Sequence, residues 1–211
     1  MRIIGIDLSG PTNIEDTALA CFTHAGASCK NADLVRSASD HVIYTYVRDV
    51  LDQDDVVLGI DAPLSYNPGG GDRPVDASLR ASAEQAGLSR GTIMPPTMTR
   101  MVYLTLRGIS VARTLEALSS QKLRIIETHP ASVLAFHGAP VNDVRRLKAC
   151  PDARERLMTW LHNHGIPVGS LQTEVDEHGL CACAAAMGAW KWYCGTSSWR
   201  QPASPPLHPF D

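Results

Sequence analysis

Three short apolar runs in the sequence each end in an acid, and these acids are Asp7, Asp61 and Glu127. A continuous run of about four to six branched apolar residues, closed by turn residues, is typical of a strand buried on both faces, as in a parallel sheet. Ligands of open α/β sheets bind at the carboxyl ends of the parallel strands. We therefore expect the three carboxylates to meet in one crevice if their strands are neighbours.

The two aspartates have the chemistry of a site for Mg²⁺ or Mn²⁺. Neighbouring strands lie about 4.8 Å apart, so Asp7 and Asp61 would be close enough to share an ion. Like charges at that separation raise the pKa of one carboxyl unless a cation binds. Magnesium takes oxygen ligands and keeps several waters, and two ions about 4 Å apart support phosphodiester hydrolysis. Either aspartate alone could instead cap the turn after its strand, but the pair favours a metal site.

Glu127 and two histidines are further candidates for the same site. Glu127 either assists the two aspartates as a third catalytic acid or uses its carboxylate to hold the turn, or a basic residue of the nearby loops. His129 and His178 have three alternative roles, as a proton shuttle, as a ligand or as an ordinary core group. The sequence does not choose between these alternatives.

Several arginines supply cations near the expected site. Planar guanidinium groups suit phosphates, and Arg73, Arg80 and Arg100 are the candidates for substrate binding. Arg107 is a fourth cation of this kind. Because it lies inside a predicted helix, an ordinary surface or ion-pair role explains it at least as well as phosphate binding does. Residues 69–71 are three glycines, but the Gly-x-x-x-x-Gly-Lys-Ser/Thr pattern of a phosphate-binding loop is missing from the sequence. The Gly-x-Ser-x-Gly pattern of a serine hydrolase is missing as well.

The composition is that of a globular protein. The chain has 211 residues, of which 44% are hydrophobic and 19% charged, and this suits one domain with a sizeable core. A net charge of -3 gives no electrostatic reason to expect a general nucleic-acid binder, although a small basic groove is compatible with it. The six cysteines are irregularly spaced, so we expect reduced thiols and a cytoplasmic location rather than a secreted disulfide framework.

The sequence predicts neither a signal peptide nor a membrane segment. The first apolar run is too short for a signal peptide and ends in an acid. No stretch approaches the roughly 20 apolar residues that a membrane-spanning helix needs. The oligomeric state is left open by these patterns.

The apolar patterns predict the element order β-β-β-α-β, an insertion, and then α-β-α-α. Only about six residues connect the first two strands, too few for a crossover helix, so these strands are expected to be antiparallel. Residues 62–99 break the regular pattern and predict a loop-rich insertion, of the kind that is often functional beside a strand end. Within it, residues 73–80 could begin a helix. We expect one domain over residues 1–195 and a loosely held, proline-rich tail over residues 196–211. The predicted helices cover about residues 42–51, 101–118, 130–136, 152–164 and 177–194, with Ser39 as the first N-cap, Pro130 opening the third helix and Gly165 ending the fourth.

This order is that of the ribonuclease H-like fold. In that α/β fold a mixed five-stranded sheet has the order 3-2-1-4-5, with the first strand central beside the fourth and helices on both faces. Actin-like ATPase domains share the same core, and element order alone admits them too. The chain is too short for two such domains, however, and it lacks their phosphate loops.

Six motifs in sequence order resemble the domain-of-unknown-function family numbered four hundred twenty-nine. That family is usually described as predicted ribonuclease H-like nucleases, and the resemblance covers about residues 2 to 192. It implies the ribonuclease H-like architecture and a metal-dependent site with acids at the strand ends. The motifs are Gly5-Ile-Asp-Leu-Ser-Gly10, Gly59-Ile-Asp-Ala-Pro-Leu64, Arg73-Pro-x-Asp-x-x-x-Arg80, Met94-Pro-Pro96, Glu127-Thr-His-Pro-Ala131 and Glu177-His-Gly-Leu180.

One departure from the family pattern concerns the last helix. Such families usually start it with Glu-His-x-x-Asp-Ala, whereas here the aspartate position holds Cys181. Asp176, Glu174 or Glu177 could supply the missing acid, although helix geometry points them elsewhere. The sequence therefore supports two hypotheses. The first is a metal-dependent phosphodiesterase acting on a nucleic acid or a small phosphorylated compound, and the second is a catalytically impaired binding or scaffold protein that keeps the fold.

Overall fold

The computed structural model describes residues 1–118, 121–171 and 175–211. Within these ranges no helix is long and apolar enough to cross a membrane. The strands are β1 (Arg2–Asp7), β2 (Ala18–His24), β3 (Cys29–Arg36), β4 (Val56–Asp61) and β5 (Leu123–Glu127). The helices are α1 (Asp40–Leu51), α2 (Pro74–Gln85), α3 (Val102–Leu118), α4 (Pro130–Phe136), α5 (Val141–Val144), α6 (Pro151–Asn163) and α7 (Glu177–Tyr193).

The five strands form one mixed sheet in the order β3-β2-β1-β4-β5. β1 is antiparallel to β2 and parallel to β4, and β4 is parallel to β5. The short β1–β2 connection forces the antiparallel pair, whereas α1 carries the chain back so that β4 runs alongside β1. The predicted ribonuclease H-like sheet order is thus confirmed.

The local signals for helix ends are confirmed as well. The Ser39 side chain accepts a hydrogen bond from the Val42 N–H at 3.3 Å and caps α1. Pro130 is the first residue of α4, and Gly165 follows α6 with a φ of 93°. Helix α2 lies where residues 73–80 of the insertion were expected to begin a helix, and the structure adds the short α5, which precedes α6.

The sheet separates two hydrophobic cores. Side chains alternate along β1, so Ile3 belongs to the core under α7, while Ile4 and Ile6 belong to the core under α1 and α3. All three isoleucines are fully buried. Burial on both faces explains why β1 is an uninterrupted apolar run rather than an alternating one.

Helix α7 packs against the sheet at two glycines. Gly5 of β1 and Gly59 of β4 are paired in register. A Cβ on Gly5 would lie 2.1 Å from the Ala182 carbonyl oxygen, and one on Gly59 would lie 2.6 Å from the Ala185 carbonyl oxygen. Helix and sheet backbones can approach this closely only because the strands carry no side chain there and α7 is rich in alanine.

Arg107 of α3 fixes the loop that follows β1. Its buried guanidinium donates to Asp40 Oδ1 at 2.8 Å, to the Ser9 carbonyl oxygen at 2.9 Å and to Thr17 Oγ1 at 2.8 Å. Charge-assisted hydrogen bonds of this kind stabilise more than neutral ones. Arg107 is therefore an ion-pair residue that holds the loop directly after Asp7.

The expectation of a loosely held C-terminal tail is wrong. The Asp211 carbonyl oxygen accepts from the Glu127 N–H at 2.8 Å, and the Asp211 carboxylate accepts from Trp192 Nε1 at 2.7 Å. Phe210 packs against the core under α1 and α3. Proline and serine content suggested a free terminus, but these long-range contacts, which composition does not reveal, hold the tail beside the edge strand β5.

We predict that Gly5→Ala destabilises the protein by about 3 kcal/mol or more, because the new methyl group would overlap the backbone of α7. Gly10→Ala is the matched control, since a Cβ at Gly10 meets no atom within 4 Å. Urea denaturation followed by circular dichroism gives both free energies of unfolding. Equal stability of the two variants would contradict the close packing of α7.

Candidate functional site

Asp7 and Asp61 are neighbours at the carboxyl ends of β1 and β4. They are the last pair in the parallel register between these strands. Because side chains alternate along a strand, they share the face of Gly5 and Gly59, which is the face that α7 covers. The structure thus brings together the two aspartates that the sequence selected.

His178 in the first turn of α7 holds Asp7. Its Nδ1 donates to Asp7 Oδ2 at 2.7 Å, and this hydrogen bond raises the pKa of His178, with burial opposing the rise. The other ring nitrogen, Nε2, lies 3.6 Å from Glu177 Oε1 and 3.8 Å from Asp16 Oδ1. The imidazole therefore lies among carboxylates, which favour its protonated form.

The surroundings of Asp61 disfavour the ionised form of its carboxyl group. Burial, followed by the charge of Asp7, raises the pKa of Asp61 well above its usual value. Glu127 adds to the rise, whereas Lys148 opposes it. A cation between the two aspartates would relieve this repulsion.

Cys181 lies one turn after His178 and faces the same pair. Burial raises the pKa of the thiol, and the charges of Asp7 and Asp61 raise it further. The thiol is therefore neutral at physiological pH. The side chain of Cys181, at the position where the family pattern implies an acid, is thus directed at the two aspartates.

The three acids named as substitutes for that position are placed as follows. Asp176 is the N-cap of α7, where its Oδ1 accepts from the Gly179 N–H at 2.8 Å, and it also pairs with Arg36. Glu177 lines the cavity beside His178. Glu174 lies outside the described residues.

Glu127 is bound to the insertion. It is paired with Ile60 rather than with Asp61, so its side chain leaves the sheet on the opposite face from the aspartates. Its Oε1 accepts from Arg73 Nη2 at 2.5 Å, and its Oε2 accepts from the Leu64 N–H at 2.8 Å. Of the two alternatives for Glu127, these contacts match the one in which it holds a basic residue and a turn.

Arg73 uses its whole guanidinium for internal contacts. Besides Glu127, it donates to Asp76 Oδ1 from Nη2 at 2.7 Å and to Ser65 Oγ from Nη1 at 3.0 Å. Its Nε also donates to Asp76, so all five N–H groups have partners, and the side chain is 3% exposed. Arg73 therefore joins the insertion to β5, and no N–H remains for a phosphate.

The other two predicted arginines are not placed in the crevice. Arg80 forms a two-pronged ion pair with Asp72 at 2.6 and 2.7 Å and donates to the Ile93 carbonyl oxygen. Arg100 is exposed. Neither is among the described residues that line the cavity at the aspartates.

His129 lines the same cavity as a neutral side chain. Its Nδ1 accepts from the Ser132 N–H at 3.2 Å and caps α4. Burial lowers the pKa of His129 to about 4, with the Lys148 charge acting in the same direction and a hydrogen bond to the Thr92 backbone opposing it. At neutral pH it is therefore uncharged.

The aspartates open into a cavity of about 740 Å³. Acids line one side, the insertion covers another, and the segment after α5 contributes Arg145 and Lys148. These two cations and Asp16 were not predicted from the sequence. The basic run Arg145-Arg-Leu-Lys148 was the available signal for the cations, but nothing in the sequence placed it opposite the strand ends.

The residues at the site suit a divalent ion that keeps several water ligands better than an ion whose ligands all come from the protein. Asp7 and Asp61 supply hard oxygen ligands, and a cation would stabilise the negative charge that burial and repulsion disfavour on Asp61, which suits Mg²⁺ or Mn²⁺. Among residues 1–118, 121–171 and 175–211, no three His, Cys, Asp or Glu side chains form a group that could hold a metal ion. An ion would thus be bound by the two aspartates and complete its shell with water.

We predict that the free energy of unfolding of His129→Asn falls less than that of the wild type as the pH is lowered. The folded-state pKa of about 4 lies below the unfolded value of 6.5, so the unfolded chain takes up the proton first as the pH falls. Stability that is present above pH 6.5 is then lost towards pH 4, by up to about 3 kcal/mol. Asparagine retains an acceptor for the α4 cap and does not titrate.

Urea denaturation at pH 7, 5.5 and 4 measures this effect, with exposed His41→Asn as the control. If stability declines as steeply with falling pH in His129→Asn as in the wild type, the lowered pKa of His129 is contradicted.

Comparison with known proteins gives one family. The family described as "Protein of unknown function (DUF429)" matches residues 5–205. No curated protein matches the sequence. The structure is similar to that of Thermus thermophilus RuvC, with 14% identity and a TM-score of 0.45 over 93% of this chain and 98% of that chain. It is also similar to T. thermophilus RuvC in complex with Holliday junction substrate, with 13% identity, the same TM-score and the same coverage. Because the family match spans nearly the whole sequence, the chain belongs to the DUF429 family.

Proposed function

We propose that the protein is a divalent-metal-dependent phosphodiester hydrolase of the nuclease type. The observation that carries the proposal is the pair of in-register carboxylates, Asp7 and Asp61, at the carboxyl ends of adjacent parallel strands. Burial and mutual repulsion raise the pKa of Asp61, so the pair is poised to gain from a bound cation. No cationic side chain of the described residues forms an ion pair with Asp61.

Asp7 and Asp61 are the residues that would hold Mg²⁺ or Mn²⁺. The ion, when bound, activates water and stabilises the charge that develops on a phosphodiester. His178 orients Asp7 through its hydrogen bond and carries a proton at the edge of the cavity. Because its pKa is raised, it is the better proton donor of the two histidines, while His129 is neutral.

Glu127 has a supporting part in this proposal. Its carboxylate anchors Arg73 and the Leu64 N–H, and these contacts fix the start of the insertion beside the strand ends. Glu127 thus shapes the wall of the site and contributes negative charge near Asp61. The substrate class in the proposal is a nucleic acid or a small phosphorylated compound.

Cys181 supports a second candidate function, a binding or scaffold protein with an impaired catalytic site. The thiol faces the aspartates at the position where the family pattern implies an acid, and it stays neutral. Without a third negative ligand, the site would bind an ion more weakly and turn over slowly or not at all. The fold and the cavity would then serve to bind a ligand without hydrolysis.

We predict that Asp7→Asn and Asp61→Asn each weaken Mn²⁺ binding at least about tenfold, because each removes a charged oxygen ligand. Isothermal titration calorimetry measures the affinity, and hydrolysis of bis(p-nitrophenyl) phosphate measures the activity, which should fall in parallel. Exposed Asp52→Asn is the control with the same change of charge. Wild-type protein that binds no Mn²⁺, or hydrolysis unchanged in Asp7→Asn, would overturn the proposal.

We predict that Cys181→Asp raises Mn²⁺ affinity by roughly tenfold, because it adds a carboxylate facing the pair. Cys181→Asn is the matched control, since it has the shape of aspartate without the charge. The activities separate the two functions. A wild-type enzyme that already hydrolyses the phosphodiester supports the hydrolase, whereas hydrolysis that appears only in Cys181→Asp supports the impaired scaffold. Unchanged affinity in Cys181→Asp would show that the site is not built around this position.

A further inference from the structure

The cavity at the aspartates has walls of opposite charge. Asp7, Asp61 and Glu177 line it from the sheet and α7, whereas Arg145 and Lys148 line it from the segment between α5 and α6. A phosphodiester bound to a metal ion has its remaining charge on oxygens that point away from the ion. Cations elsewhere in the lining of the same cavity are therefore where a second contact to the phosphate would be needed.

Arg145 and Lys148 are exposed and available. Among the described residues, neither side chain makes a hydrogen bond or an ion pair. Arg73 differs from them, because every N–H of its guanidinium already donates to a residue of the protein. Lys148 is nevertheless close enough to oppose the rise in the pKa of Asp61 and of Cys181. Its charge thus acts on Asp61 and Cys181 without a hydrogen bond or an ion pair to either.

The third wall of the cavity is apolar. It is formed by the insertion and the start of α3, and its residues are Leu88, Ile93, Met94, Met101 and Leu104. Methionine side chains adapt to flat or irregular apolar groups. Leu88 and Ile93 are themselves buried in the core, whereas Met94, Met101 and Leu104 are partly exposed and offer apolar surface to a flat group such as a nucleobase.

We propose that Arg145 and Lys148 bind the phosphate of a small nucleotide phosphodiester whose base lies against the apolar wall. The inference rests on the proposed function, because it assigns the substrate class of the same site. A cavity of about 740 Å³ falls within the range of roughly 300–1,000 Å³ for small-molecule sites and suits about one or two nucleotides. The net charge of -3 also gives no electrostatic reason to expect general binding of a duplex.

The test measures binding of a 5′-phosphorylated thymidine dinucleotide to the full chain by calorimetry, with and without Mn²⁺. Lys148→Met and Arg145→Met remove the charges and keep most of each aliphatic stem. We expect each to weaken dinucleotide binding about tenfold, the usual worth of one charge-assisted contact. Mn²⁺ affinity should be no weaker than in the wild type, because neither side chain is a ligand.

Arg146→Met is the matched control. Arg146 is the next residue along the chain and equally exposed, but it does not line the cavity. Its substitution should leave dinucleotide affinity unchanged. A DNA duplex without single-stranded ends is the competing ligand, and it should bind more weakly than the dinucleotide.

Three results would overturn the inference. The first is wild-type dinucleotide affinity in both Lys148→Met and Arg145→Met. The second is no binding of the dinucleotide at all, and the third is tighter binding of the duplex than of the dinucleotide. Any of these results with intact Mn²⁺ binding leaves the proposed hydrolase standing. Dinucleotide binding that depends on Lys148 in a protein that binds no Mn²⁺ would support the phosphate site and refute the metal-dependent hydrolase.

Discussion

The close approach of α7 to β1 and β4 is the constraint on which the site depends. Gly5 and Gly59 leave no room for a Cβ between the strands and the helix backbone. With the alanine-rich middle of α7 held against the sheet, its first turn lies over the strand ends. His178 and Cys181 therefore face Asp7 and Asp61. If α7 lay farther from the sheet by the width of a side chain, the 2.7 Å hydrogen bond between His178 and Asp7 would be broken.

The charged residues around this site fall into two groups with different physical roles. Arg73 and Arg107 are buried, are saturated with hydrogen bonds and hold loops in place, because a buried guanidinium must satisfy its N–H groups. Arg145 and Lys148 are exposed and line the same cavity as the acids. Proximity to the strand ends thus does not make an arginine a substrate ligand. What distinguishes the groups is whether the N–H donors are already occupied.

Much of the fold and half of the site could be predicted from local patterns. The apolar runs, the Ser39 cap and the short first connection are signals within a few residues, so the strands, helices and sheet order could be predicted. The strand-end rule also found Asp7 and Asp61. Glu127 shows the limit of that rule, because a register offset of one residue turns its side chain to the other face, where it holds Arg73. The tail shows another limit, since Asp211 is held by contacts with distant residues.

The sequence by itself determined most of the secondary structure, the order of the strands and the presence of two acids at neighbouring strand ends, because hydrophobic periodicity and connection length act locally along the chain. Only the tertiary structure decided which side chains share the cavity. It joined His178 to Asp7 by a hydrogen bond, gave every N–H of Arg73 an internal partner and placed Lys148 in the same cavity as Asp61. These relations depend on helix packing and on strand register. Both are set by contacts between residues far apart in sequence, which no local pattern records.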